Sequence, residues 1–176
     1  PGIVTFSEKI NINNQYTKWD KILKTNNLCH LCVIERHGIN GTYANGFIKN
    51  FNLKSGAVAS SVGHDAHNII VAGLNQDDMK FAVDIINSDQ GGIVIVNNGK
   101  ILSKVHLPIA GLISDKRGSK VAKENKKFKE KWKKSGCTLA YMGFNLLPLS
   151  VIPNIRLTNR GLVDVNNMKI IPLFEY

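Results

Sequence analysis

Residues 63–68, Gly-His-Asp-Ala-His-Asn, place two imidazoles, a carboxylate and an amide within five positions: His64, Asp65, His67 and Asn68. Such a set can move protons, ligate zinc, iron or manganese, or hydrogen-bond a polar substrate. In an extended strand His64 and His67 face opposite ways, whereas a turn puts them on one face. Gly63 permits such a turn. The same groups also suit a purely structural junction, with Asp65 and Asn68 capping backbone amides and the histidines bonding carbonyls. Both flanks, Gly56–Ala59 and Ile69–Ala72, are small or apolar and read as buried strands. Polar groups between such strands must be hydrogen-bonded, ligated or open to a cleft, because burying them unpaired is costly.

A second set is Glu35-Arg36-His37, directly after an apolar stretch, where strands hand residues to a cleft. Its plainer reading is an exposed Glu35–Arg36 ion pair of little energetic worth. His106 reads as a lone, satisfied histidine. Ser60 and Ser61 lie near the turn, but there is no Gly-x-Ser-x-Gly elbow and no phosphate-cradling glycine loop. Cys29 and Cys32 sit three apart on a predicted strand, so they point to opposite faces and read as small core hydrophobes rather than metal ligands. With Cys137 they make an odd number, which fits a reducing, cytoplasmic setting and not a disulfide framework.

The elements that must position these residues are strands over 1–6, 28–35, 46–52, 56–61 and 67–73. A helix over 75–87 opens on Asn75-Gln76-Asp77-Asp78, and a hairpin pairs 93–97 with 100–106 around Asn97-Asn98-Gly99. Residues 7–27 read as loop or weak helix, and 139–152 as a buried helix or irregular core segment broken by Pro148 and Pro153. Short closing strands follow at 155–158, 162–165 and 169–174. Strands and helices do not alternate regularly, so the expected class is α+β: one domain, with a mixed or antiparallel sheet and flanking helices. No apolar run approaches the roughly 18–20 residues that cross a bilayer. The start lacks a basic segment followed by an apolar one, so no signal peptide is expected. A chain beginning at proline reads as a piece of something longer. Of the net charge of +10, residues 115–134 supply +7, with Val121, Phe128 and Trp132 at helical spacing. That is an amphipathic helix with a solvated lysine face, lacking the exposed aromatics of a single-strand binder, and nucleic acid is not the expected partner.

Taken in order, Glu35–Gly38, Gly56–Gly73, Leu107–Asp115 and Leu147–Val165 resemble the C-terminal domain of bacterial adenine deaminase, of the amidohydrolase superfamily. The resemblance covers 28–176 as the domain proper, with 1–27 matching less clearly. It implies hydrolysis of adenine to hypoxanthine and ammonia by a larger enzyme, with manganese or iron held in an upstream (β/α)₈ barrel. Such a barrel alone needs about 200–250 residues. The five histidines include no His-x-His pair, so no metal-bound hydroxide is expected from this chain and no cofactor of its own. The resemblance further implies that the chain packs beside that barrel, is inactive by itself, forms homo-oligomers, and offers Glu35, Arg36, His37, His64, Asp65, His67 and Asn68 to the adenine site for substrate contact or proton transfer. Two rival readings stand beside it: a small metallohydrolase using the 64–68 cluster, and a non-catalytic binding module.

Overall fold

The computed structural model describes residues 3–12 and 18–175. In chain order the elements are α1 (Trp19–Thr25), β1 (Leu28–Ile34), β2 (Tyr43–Lys49), β3 (Ala57–Gly63), β4 (Asn68–Gly73), α2 (Gln76–Ser88), β5 (Gly92–Asn97), β6 (Lys100–His106), α3 (Gly118–Lys134), α4 (Tyr141–Asn145), β7 (Ile155–Thr158), β8 (Gly161–Asp164) and β9 (Lys169–Ile171). Strands β1–β6 form one antiparallel sheet in the order β2-β1-β4-β3-β5-β6, and β7–β9 form a small antiparallel meander. The class is α+β, in a single unit.

The central strands β3, β4 and β5 carry small and apolar residues without alternation because both faces of the sheet are covered. On one face α2 buries Met79, Ala82, Ile85 and Ile86 against Ala57, Ala59, Val71, Val94 and Val96. On the other, α3 and α4 bury Phe128, Trp132 and Phe144 against Val33, Val58, Ile70 and Ile95. Cys29 belongs to the second layer and Cys32 to the first, as a two-residue strand period requires. Burial pushes the Cys32 thiol up to about 11, and that of Cys29, aided by nearby Cys137, up to about 12. These thiols are protonated packing groups.

Three expected strands end differently. The N-terminal stretch makes only a single bridge, Thr5 to Asn154, among the described residues. Thr5 Oγ1 donates to the Ile155 carbonyl, which takes the acceptor a longer ladder would use. Residues 1–2 of that expected strand, and 13–17 of the expected loop, lie outside the described residues. Strand β2 starts at Tyr43 and stops at Lys49, three residues earlier than expected at each end. Asn50 and Asn52 adopt left-handed backbone (φ +60° and +59°), and the Asn27 side-chain amide donates to both of their side-chain oxygens. Strand β9 stops at Ile171 because Pro172 has no N–H for the ladder. The 139–152 stretch forms one short helix and then turns toward Pro148.

Antiparallel register brings three loops to one end of the main sheet. Ile34 pairs with Ile69 and Gly92 with His106, so the segment after β1, the β3–β4 turn and the loop after β6 emerge side by side. An extra residue on β3 between Ser60 and Gly63 makes a bulge, whose Val62 N–H donates to Ser60 Oγ at 3.0 Å. Such bulges re-aim the turn they precede.

Candidate functional site

Residues 64–67 form the turn between β3 and β4, with His67 in left-handed backbone (φ +51°). The turn puts His64 and His67 on one face, their ring centroids 5.1 Å apart. The His64 N–H donates to the Asn145 carbonyl at 2.9 Å, so α4 holds the turn from below. His64 Nδ1 lies 3.3 Å from Asp65 Oδ1, a contact with an exposed carboxylate and of little energetic weight.

The Glu35-Arg36-His37 set is not the exposed ion pair that its plainer reading describes. Glu35 is 9% exposed, and its carboxylate accepts from the backbone amides of His37, Ile39, Asn40 and Gly41. Burial pushes this carboxyl up, but the four amides together more than offset it and hold it below its ordinary range. Glu35 therefore organises the 37–41 loop as an anion. The Arg36 guanidinium donates from Nε to the His67 carbonyl and from Nη2 to the Ala110 carbonyl at 2.7 Å. It lies flat on Gly111, where a Cβ would come within 2.7 Å of it and where φ is +72°. His37 Nε2 donates to the Ala66 carbonyl at 2.7 Å. Arg36 and His37 thus clamp the 64–67 turn, and Arg36 ties it to the loop after β6. Ser61 Oγ completes the base of that loop, donating to the Gly111 carbonyl at 2.6 Å and accepting from the Gly92 N–H at 2.9 Å.

The turn opens on a cleft of about 580 Å³ between the end of the main sheet and the β7–β9 meander. Its polar lining includes His64, Asp65, Asn68, His37 and Glu35 from the predicted set, but not Arg36 or His67, and is joined by Asn159 and Arg160 from the β7–β8 turn. Sequence reasoning missed the last two; Thr-Asn-Arg-Gly was legible only as a turn. Two atoms of the turn lack partners among the described residues: His67 Nδ1 and Asn68 Oδ1 are buried and unbonded, as are both amide atoms of nearby Asn145. Burial first, then the His64 and Arg36 charges, lower the pKa of His67, against an upward pull from Asp65. These effects favour the neutral form of His67, which accepts a proton or a hydrogen bond. His106 stands apart, its Nε2 donating to the Asp89 carbonyl at 3.0 Å.

Among the described residues no three His, Cys, Asp or Glu side chains are placed to share a metal ion. The donors of the turn do not fit such a group: His67 turns one nitrogen into the protein and Asp65 projects outward. The metallohydrolase reading finds no shared ligand set among the described residues. No helix among the described residues is long and apolar enough to cross a membrane.

Replacing Arg36 with methionine should cost about 2 kcal/mol, since two carbonyls lose a charged donor. Faster amide hydrogen exchange in both 64–68 and 107–113 would report it; an effect confined to residue 36 would refute the clamp.

The model of the adenine deaminase C-terminal domain family matches residues 3–169. Adenine deaminase 2 of Bradyrhizobium sp. (strain ORS 278) is 54% identical over 99% of this chain and 29% of its own length. The adenine deaminase of Chelativorans sp. (strain BNC1) is 53% identical over the same shares. That of Clostridium botulinum (strain ATCC 19397 / Type A) is 45% identical over 81% of this chain and 24% of its own. The chain spans less than a third of the length of the curated relatives it matches. A match that runs nearly end to end over the clamp, the turn and the meander leaves one assignment: this chain belongs to the adenine deaminase C-terminal domain family.

Proposed function

We propose that this chain is the C-terminal domain of an adenine deaminase, and that its cleft helps complete the adenine site of the upstream part. The overall reaction is adenine plus water to hypoxanthine and ammonia, in cytoplasmic purine metabolism by a homo-oligomer. Manganese or iron, if held in the upstream part, would supply the activated water, and none of the described residues of this chain would ligate it. The contribution of this chain is positional and acid–base. The observation that carries this reading is the turn itself: clamped by Arg36 and His37, it lines a cleft with His64, Asp65 and Asn68 and sets His67 beside His64. A rigidly held imidazole pair suits proton transfer to or from a heterocycle. Asn68 and Asp65 orient the substrate, and Glu35 keeps the loop bearing His37 in place.

In the full-length enzyme, His67→Asn keeps a residue that tolerates left-handed backbone. It should lower kcat/KM for adenine by about 100-fold, while Lys126→Ala on the outer face of α3 leaves it unchanged. A value within about twofold of the parent for His67→Asn would remove the turn from the reaction.

A further inference from the structure

Four large apolar side chains stand in solvent around this cleft: Ile39 (79% exposed), Val151 (72%), Met168 (89%) and Ile170 (60%). They come from three separate segments: the loop after β1, the loop after α4, and the β8–β9 hairpin. Single exposed hydrophobes are ordinary, but several converging on one concave face with polar groups at its centre have the composition of an interface. We infer that this rim is the seat of the upstream part of the same polypeptide, an inference that rests on the function proposed above.

Three observations favour that occupant. The chain is 29% of the length of its relatives, and its family is a C-terminal domain, so most of the polypeptide lies upstream. The upstream connection enters beside the cleft: Thr5 bridges Asn154, and Arg156 donates to the Ile3 carbonyl, both next to the 148–151 wall. A covalently attached partner meets this rim at high effective concentration, so a patch of moderate area suffices to hold it. No residue of the lysine-rich α3 lines the cleft.

The test is thiol accessibility in the full-length protein. Val151→Cys and Met168→Cys are compared with Lys126→Cys on the exposed face of α3, by alkylation followed peptide by peptide in a mass spectrometer. Cys29, Cys32 and Cys137 are buried and give little background. Both rim thiols should react at least about tenfold more slowly than the control, independent of protein concentration. A smaller difference would overturn the assignment. Protection that disappears on dilution would overturn it too, by showing that a second copy covers the rim. Labelling needs no turnover, so an inactive His67→Asn with unprotected rim thiols, or the reverse, separates this inference from the proposed function.

Discussion

Replacing Arg156 with methionine should destabilise the domain by about 3–5 kcal/mol. Arg156 is 2% exposed, yet among the described residues no carboxylate faces its guanidinium. Its nitrogens donate instead to the carbonyls of Ile152 (2.7 Å), Leu146 (3.4 Å), Pro153 (3.3 Å) and Ile3. One side chain thus satisfies the end of α4, the irregular segment after it and the incoming N-terminal stretch. Methionine fills a similar volume but leaves these carbonyls without a donor in a dry site. The loss falls on backbone that turns around Pro148 and Pro153 and has few ladder bonds of its own. Hydrogen exchange of the 146–158 peptides in the full-length protein should accelerate by orders of magnitude. Protection as in the parent would mean that water replaces the guanidinium at no cost. Because this segment forms a wall of the cleft, the variant should also lose adenine deamination, whereas Lys126→Ala should not.

The second large effect is expected at Asp78, which joins α2 to the β5–β6 hairpin. It is 3% exposed. Its carboxylate accepts from the N–H groups of Gly99 (2.9 Å) and Asn98 (3.0 Å) and from the Asn75 side-chain amide (2.9 Å). Asn75 in turn caps α2, its Oδ1 accepting from the Asp78 N–H at 2.8 Å. Asp78→Ala should cost about 3 kcal/mol, by uncapping the hairpin amides and loosening the helix start together. Burial pushes the Asp78 carboxyl up, but the amide donors outweigh it and hold it below its ordinary value. A depressed native pKa stabilises the folded state above the unfolded value of about 3.9, and that stability is lost as pH falls through the native value. The parent should therefore lose more stability than Asp78→Asn between about pH 5 and strongly acid conditions, because only the parent must protonate a hydrogen-bonded carboxylate. Parallel acid titrations of the two proteins, followed by hydrogen exchange of α2, would reveal equal slopes if the carboxylate were unimportant.

Much of the scaffold was legible beforehand because its signals are local. The Asn98-Gly99 turn fixes the register of β5 against β6 within a few residues. Asn75 with Asp77 and Asp78 marks a helix start by capping and dipole, and the spacing of Phe128 and Trp132 marks the buried stripe of α3. Where expectation and structure part, a non-local contact is responsible. Strand β2 shifted because Asn27, from before β1, holds Asn50 and Asn52 in left-handed backbone. Among the described residues the N-terminal stretch makes one bridge instead of a ladder, and Thr5 there reaches a residue 150 positions away.

The chemistry divides in the same way. By itself the sequence determined that two imidazoles, a carboxylate and an amide lie between buried strands, that a turn would put the imidazoles on one face, and that no His-x-His pair accompanies them. These are matters of residue type and short spacing. Only the tertiary structure decided which groups are free. Glu35, Arg36 and His37 look as reactive in sequence as the turn does, but the backbone amides of 37–41 occupy Glu35, and carbonyls from other segments occupy Arg36 and His37. What faces the cleft, whose far wall comes from the meander, is His64, Asp65 and Asn68, with His67 beside His64 on the turn. The reason is physical: a side chain's availability depends on which distant polar groups the fold brings against it, and no local pattern records that.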